Sequence, residues 1–303
     1  MSVVELEARD VAIETPSMGL WSDAWFRLRR NPAAIVGFCV IVVLVIVAIF
    51  APLLAPFGPR DQNLSLLRQG CCPGLSHDHL FGVDELGRDE LSRIIFGARF
   101  SLLIGVVSVS VGFFFGSILG AISGFFGGWI DTAIMRLVDI WLTIPGFLMA
   151  IGIVAVLGPG LTQIMIAIGV INVPLFARLL RGSVLAQREN DFVLAARSVG
   201  VPKRSILAAH ILPNAISPVI VQGTLALATA IIDAAGLGFL GLGPQDPSTP
   251  EWGTMLTNTV RFLQTAPHLA IIPGLAIVIT AISINLIGDG LREALDPKLR
   301  GRG

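Results

Sequence analysis

The sequence of 303 residues lacks the charge of a water-soluble protein. Only 14% of its residues are Asp, Glu, Lys or Arg, whereas soluble domains carry about 25%. Basic and acidic residues number 21 each and leave no net charge at pH 7. This balance excludes the overall positive potential with which proteins attract nucleic acid, so we expect no nucleic-acid partner.

Lysine and histidine are also scarce, and their scarcity excludes several kinds of catalysis. The two lysines, Lys203 and Lys298, each follow a proline, so neither belongs to the G-x-x-x-x-G-K-[ST] sequence of a nucleotide-binding P-loop. The four histidines do not form the H-E-x-x-H sequence of a zinc protease. "LIGDG" (286–290) resembles the Gly-x-Gly-Asp sequence of aspartyl membrane proteases, but Leu286 replaces the first glycine. We therefore expect no catalytic residue in this chain.

Three cysteines are too few for a disulfide scaffold. Two of them lie in "CCPGLSHDH" (71–79), where Cys71, Cys72, His77 and His79 all have side chains that can bind zinc. Adjacent cysteines are poorly spaced for a tetrahedral site. We favour a variable external loop here, with zinc binding as the alternative.

Apolar residues are abundant, at 54% of the chain, and the mean hydropathy is +0.80. A helix needs about 20 mainly apolar residues to cross a membrane. The sequence therefore predicts an all-α integral membrane protein with six transmembrane helices, of which the fifth, containing Pro218 and Asp233, is the least regular. The six stretches lie at about 34–56, 100–124, 133–157, 160–182, 214–241 and 268–289.

Basic residues are unevenly divided between the two sides that six spans would create. Fifteen of the 21 lie on the side of both termini, and six lie on the other side. Because cytoplasmic loops carry the excess of Lys and Arg, both termini are predicted to be cytoplasmic. The predicted parts are a cytoplasmic tail with an interfacial helix (1–33), a first transmembrane helix (34–57), an external loop (58–98), a transmembrane domain (99–290) and a cytoplasmic tail (291–303).

The segment before the first span, "LWSDAWFRLRRNP" (20–32), has the pattern of an amphipathic helix. Such a helix, with arginines beside an apolar stripe, lies in the membrane interface; a disordered tail is the alternative. The stripe consists of Leu20, Trp21, Ala24, Trp25 and Leu28, and the arginines are Arg27, Arg29 and Arg30.

The second predicted span has small residues at every fourth position. Such residues form a smooth face against which another helix can pack closely, and that helix can belong to this chain or to another. The small residues are Ser108, Gly112, Gly116, Gly120 and Gly124.

Three aspartates lie in or at the end of apolar spans, where an unpaired charge is costly. Asp139 has Arg136 three residues before it, and Asp289 has Arg292 three residues after it, so both can form local ion pairs. Asp233 has no basic residue within one turn. It is the candidate for the translocation path, with stabilisation of a helix interface as the alternative.

The polar segment "DFVLAARSVGVPKRSILAAHILPN" (191–214) separates two apolar spans. Asp191 can cap a short helix that ends at residue 198 or 199, and Gly200 can terminate it in the left-handed conformation. Pro202 can begin a second helix. We therefore predict a compact helix-turn-helix on the cytoplasmic face.

This segment resembles the EAA loop of the membrane subunits of bacterial ABC importers. In that loop Glu-Ala-Ala is followed after three residues by Gly, and nine residues later by Ile-x-Leu-Pro. The spacing fits throughout, but Leu194 replaces Glu and His210 replaces the first Ile. The resemblance implies that this loop (191–213) couples the chain to an ATPase through Leu194, Ala195, Ala196, Gly200, His210, Leu212 and Pro213.

Further segments resemble the C-type permeases of peptide, nickel and glutathione importers. They are "HLFGVDELGRDELSRIIFGARFSL" (79–102), "GFLGLGPQDPSTPEWGTML" (238–256) and "GDGLREALDPKL" (288–299). The resemblance extends from Trp25 to Leu299. It implies the transmembrane fold of type I ABC importers, in the inner membrane of a bacterium.

The resemblance also implies the partners. They are a second, homologous permease, two ATPase subunits, an external solute-binding protein and membrane lipid. ATP and Mg²⁺ would bind to the ATPase subunits, and no cofactor is expected in this chain. Peptides are the first choice of solute, with glutathione or a nickel chelate as alternatives.

The external segment 79–99 is densely charged, and Asp84, Glu85, Arg88 and Asp89 are its candidate functional residues. Their charge suits docking to a soluble partner or folding over the external gate. A solvated face without a function is the alternative.

Two other classes of membrane protein remain open. A secondary transporter driven by an ion gradient typically has carboxylates for the coupling ion near the midplane, and only Asp233 fits that description. A membrane scaffold that transports nothing would need neither the coupling loop nor a buried charge.

Overall fold

The computed structural model of the chain describes residues 20–69, 71–257 and 259–295. Within these residues the regular structure is helical, apart from an isolated bridge between Val83 and Asp89. The predicted all-α fold class is confirmed. The principal helices are α1 (Leu20–Leu28), α2 (Pro32–Ile49), α3 (Glu90–Phe126), α4 (Gly128–Leu142), α5 (Gly146–Leu157), α6 (Leu161–Arg188), α7 (Asp191–Ser198), α8 (Ser217–Leu237), α9 (Trp252–Leu256) and α10 (His268–Leu295).

Five of these helices, α2, α3, α6, α8 and α10, are long and apolar enough to cross a membrane. The pair α4 and α5 makes a sixth crossing only if both count as one span, because they are bent by 86° at the break between them. The prediction of one continuous helix over 133–157 is therefore wrong. Pro145 explains the break, because a proline disfavours helical backbone at the preceding residue.

Helix α3 begins ten residues before the predicted span. The side chain of Asp89 caps it by accepting a hydrogen bond from the Ser92 backbone N–H at 2.7 Å. With 37 residues the helix is about 55 Å long, whereas the hydrocarbon layer is about 30 Å thick. Residues 90–98 of the segment predicted as an external loop are therefore helical.

The small-residue face of α3 packs against α6 of the same chain. A Cβ atom at Gly112 would lie 2.6 Å from the Cβ of Asn172, and one at Gly116 would lie 2.7 Å from the Cβ of Phe176. Both distances are shorter than side-chain atoms tolerate, so only glycine permits this approach. The predicted packing role is confirmed, and the partner helix lies within this chain.

The main core lies between α3, α5, α6 and α8, and it includes side chains from the segment that follows α6. Helices α2 and α10 pack beside α3 and α8 around a second core that contains Trp252 of α9. These cores hold α8 on two sides, and this arrangement leaves one face of α8 open.

The segment predicted as an amphipathic helix forms the helix α1. It lies at the end of α10, where the Asn31 side-chain amide donates a hydrogen bond to Glu293 Oε2 at 2.9 Å. The side chains of Leu20, Trp21 and Ala24 lie outside the described part of the chain, as do residues 1–19 and 296–303 of the predicted tails.

Those aspartates of the apolar helices that form ion pairs do so with residues of other helices and not with residues one turn away in the same helix. Asp139 pairs with Arg178 of α6 at 2.7 Å. The prediction that it pairs with Arg136 is therefore wrong. Among the ion pairs of the described residues, none joins Asp289 to Arg292. Asp289 is exposed at the end of α10, so it needs no partner within the protein.

Candidate functional site

The segment that follows α6 forms a helix-turn-helix, as predicted. Helix α7 spans Asp191–Ser198, and Asn190 occupies the cap position predicted for Asp191. Pro202 precedes the next helical turn, Lys203–Ser205, and does not begin it. Both corrections move a boundary by one residue and leave the architecture unchanged.

Gly200 ends α7 in the left-handed conformation, with φ of +80°. The Gly200 N–H donates to the Arg197 carbonyl at 3.0 Å, and the Val201 N–H donates to the Ala196 carbonyl at 3.1 Å. This pair of hydrogen bonds is a Schellman motif, which satisfies the free carbonyls at a helix end. The turn at Gly200 therefore has a defined geometry.

Buried apolar side chains fix the segment to the membrane helices. Val193 and Ala196 of α7, together with Ile206 and Ile211 of the following turn, lie in the main core beside Val184 of α6. Ala196 is only 7% exposed, so it packs inside this chain. These residues attach α7 to the core that it shares with α6.

The opposite side of α7 carries exposed apolar side chains. Leu194 is 50% exposed and Val199 is 79% exposed, and Ala195 is exposed between them. Arg197 and Lys203 are exposed beside this edge. An apolar edge flanked by basic residues, on a segment outside the spans, is suited to contact another protein.

The second half of the segment leads back into the membrane. Residues Ile206–Ile211 form a π-helical turn, in which His210 is half-buried and its Nδ1 lies 3.5 Å from the Ser205 carbonyl oxygen. Leu212 is half-buried and Pro213 is exposed. Pro213 lies in the first turn of the helix Leu212–Ala215, where its missing N–H costs no hydrogen bond.

A cleft of about 620 Å³ opens beside this segment, between the ends of α6, α8 and α10. Its lining includes Phe192, Asn214, Gln222 and Arg292. The segment that follows α6, the first turn of α8 and the last turn of α10 therefore meet at one end of the bundle.

Asp233 lies on the open face of α8. It is half-buried, and no hydrogen bond or ion pair joins it to another described residue. Thr229 lies one turn before Asp233 and is exposed. Gln222 lies two turns before Thr229, on the same face. By contrast, Asp131 forms a bidentate pair with Arg181 at 2.5 and 2.6 Å. A polar stripe with an unpaired carboxylate is costly in contact with lipid.

The charged external cluster is mostly buried. Asp84 and Asp89 are each 4% exposed, and Arg88 is 7% exposed. Arg88 Nε donates to Asp84 Oδ2 at 2.6 Å, and His79 Nδ1 lies 2.8 Å from Asp89 Oδ1. The interpretation as a solvated face is therefore wrong for these residues, which cannot contact a soluble partner while buried. Glu85 is half-buried.

Sequence reasoning missed Glu251, which caps α9 beside the first turns of α3. Its carboxylate accepts hydrogen bonds from the backbone N–H groups of Gly253 at 2.8 Å and Thr254 at 2.9 Å. Burial raises the pKa of Glu251 to about 7, although these hydrogen bonds act in the opposite direction. Its only sequence signal was a capping box with the acidic residue first, the reverse of the usual order.

No group of three or more His, Cys, Asp or Glu residues within the described ranges is arranged to hold a metal ion. Cys71 and Cys72 are joined to each other by a disulfide bond, and His79 pairs with Asp89.

Comparisons with known families agree with this geometry. Residues 116–301 match the family described as binding-protein-dependent transport system inner membrane component. Residues 19–70 match the N-terminal transmembrane domain of oligopeptide transport permease C.

Individual relatives are similar over nearly the whole chain. A dipeptide transport system permease protein of Alkalihalophilus pseudofirmus is 47% identical over 280 residues, which cover 92% of this chain and 90% of the relative. A glutathione transport system permease protein of Escherichia coli O6:K15:H31 is 44% identical over 285 residues, with coverage of 93% and 91%. A chain of the MetNI methionine ABC transporter superposes with a TM-score of 0.57 at 19% sequence identity. The match covers 67% of this chain and 96% of the MetNI chain, and at this identity it supports the fold alone.

Proposed function

The chain belongs to the family of binding-protein-dependent transport system inner membrane components, and from this we propose that residues 191–213 couple it to separate ATPase subunits. It is the permease subunit of such a transport system, with the fold of type I ABC importers. The observation that carries the proposal is the exposed edge of α7, with Leu194 and Val199, on a segment whose other side lies in the core.

The mechanism follows from this two-sided attachment. Binding of ATP at the partner subunits, together with Mg²⁺, would move the docked α7, and Val193 and Ala196 would transmit that motion to α6. Because ATP binds one state of the assembly more tightly, it shifts the equilibrium between inward-open and outward-open forms. Of the two alanines of the motif, Ala195 is exposed and would face the partner, whereas Ala196 is buried in the core.

Asp233 is proposed to line the translocation path. The open face of α8, with Gln222, Thr229 and Asp233, would meet the second permease across a polar pathway. No described residue pairs with this carboxylate, which leaves it free to bind a cationic group of the solute. The amino group of a peptide has the required charge.

The solute is proposed to be a di- or oligopeptide, delivered by an external binding protein. The similarity to a dipeptide permease supports this choice, and the similarity to a glutathione permease supports glutathione, itself a peptide, as the second candidate. The nickel chelate considered from the sequence has no such support among these relatives. The buried cluster around Asp84 would form part of the external gate, because its ion pairs hold the start of α3.

Transport in reconstituted vesicles tests the function. The chain, a second permease, the ATPase subunits and the binding protein should take up labelled dipeptide only with ATP and Mg²⁺. Vesicles without the ATPase subunits are the control. Uptake driven by a proton or sodium gradient in those control vesicles would favour a secondary transporter and contradict the proposal.

The orientation of the chain has its own test. Both termini and α7 are proposed to be cytoplasmic, in the inner membrane of a bacterium. Single cysteines placed at residues 65 and 199 of a cysteine-free variant should react with impermeant reagents from opposite sides. Labelling of both positions from one side would contradict this topology.

A further inference from the structure

Helix α1 lies next to an apolar span and contacts the end of another. The apolar span α2 begins at Pro32, four residues after α1 ends. Leu28 approaches Gly290 of α10, where an added Cβ would lie 3.3 Å from Leu28 Cδ1. Asn31 binds Glu293 in the last turns of α10. The position of α1 is therefore linked to that of α10, at the end of the bundle that also carries α7.

The outer face of α1 combines exposed aromatic rings with exposed cations. Trp25 is 53% exposed and Phe26 is 46% exposed. The guanidinium carbon of Arg29 lies 4.6 Å from the centre of the Trp25 ring, and that of Arg30 lies 4.0 Å from the Phe26 ring. Both arginines are exposed, and neither forms an ion pair with another described residue.

We propose that this face is a binding site for the headgroups of anionic phospholipids. Aromatic rings of this kind settle at the headgroup level of a membrane, and arginines beside them then meet the lipid phosphates. Guanidinium groups bind phosphate with two hydrogen bonds, and a basic cluster next to a span attracts anionic lipid over neutral lipid. The two exposed arginines, Arg29 and Arg30, supply the complementary charge.

This binding would have a mechanical consequence. A lipid that holds α1 in the interface also holds the end of α10 through Leu28 and Asn31. The lipid composition of the membrane would therefore influence the end of the bundle at which α7 is attached. The binding step itself does not depend on the proposed transport function.

Competition between lipids tests the site. The purified full chain in a non-ionic detergent is incubated with an equal mixture of phosphatidylglycerol and phosphatidylcholine, and bound lipid is counted by native mass spectrometry. We expect preferential binding of phosphatidylglycerol that weakens with salt. Removing two charges by Arg29→Gln with Arg30→Gln should weaken it about thirty-fold. Arg99→Gln with Arg261→Gln, which removes two exposed arginines elsewhere, should have no effect.

Charge-preserving substitutions complete the test. Arg29→Lys with Arg30→Lys should retain most of the preference, because the attraction is largely electrostatic. Thermal unfolding of each variant shows whether it remains folded. Equal binding of both lipids, loss of the preference in the control variant, or full displacement of phosphatidylglycerol by inorganic phosphate would overturn the proposal.

Discussion

Substitution of Gly200 is the sharpest perturbation of the coupling segment. A Cβ atom at this position would meet no other atom within 4 Å, so the substitution causes no clash. Its cost comes from the backbone alone, because φ is +80° and an L-residue in this region is destabilised by about 1–2 kcal/mol. We expect Gly200→Val to lie at the upper end of this range, since β-branched side chains tolerate such backbone poorly.

A cost of about 1–2 kcal/mol corresponds to a roughly 5- to 30-fold increase in the open form of the turn. Hydrogen exchange at the Gly200 and Val201 amides, which donate the two closing hydrogen bonds, should accelerate by that factor. Uptake and co-purification of the ATPase subunits should fall with it. Gly200→Asn should lose less, because asparagine tolerates the left-handed region.

Gly182 provides the matched control. A Cβ atom there would also meet no atom within 4 Å, but Gly182 lies inside α6 with ordinary backbone. Gly182→Ala should therefore leave exchange at the turn and uptake unchanged. If Gly200→Val accelerated exchange as expected while uptake and subunit binding stayed at the wild-type level, the coupling role of this turn would be refuted.

Three further predictions follow from other parts of the chain. Asp233→Asn should lower the maximal rate of peptide uptake without loss of the second permease from the purified assembly, because a charge of the proposed path is removed; an unchanged rate would contradict that role. Burial raises the pKa of Glu251 from 4.5 to about 7, so its contribution to stability is present below pH 4.5 and is lost as the pH rises through about 7; thermal unfolding should show this loss in the wild type and not in Glu251→Gln. Gly116→Val should destabilise the fold by about 1–3 kcal/mol or prevent folding, because Phe176 occupies the space, whereas Gly152→Val meets no atom and should be tolerated; equal thermal stability of the two variants would contradict the packing.

Local signals in the sequence were sufficient for the elements that depend on neighbouring residues. The turn after α7 was predictable because Gly200 provides the left-handed residue that ends the helix. The contact between α3 and α6 was predictable in part, since glycines at every fourth position can only serve close packing. The partner helix was left open because spacing within one helix does not identify its neighbour.

Contacts between distant residues were not predictable in this way. Asp139 pairs with Arg178, 39 positions away, although Arg136 is much nearer in sequence. For the cluster around Asp84, the dense charge was compatible with docking, with gating and with a solvated face, because charge density alone does not reveal burial. In the structure, Arg88 and Arg93 pair with Asp84 inside the protein. Glu251 was missed because the residues around it do not show whether its carboxylate is buried and caps a helix or is exposed to solvent.

Site-specific crosslinking at Val199 tests the central claim most directly. Val199 is 79% exposed on the edge proposed to contact an ATPase subunit. A photoreactive residue at this position in the assembled importer should crosslink to an ATPase subunit, and the yield should change when ATP is added. The same residue at Ser65, on the opposite side of the membrane in this topology, should give no such product. Crosslinks from position 199 only to lipid or to the binding protein would contradict the coupling role.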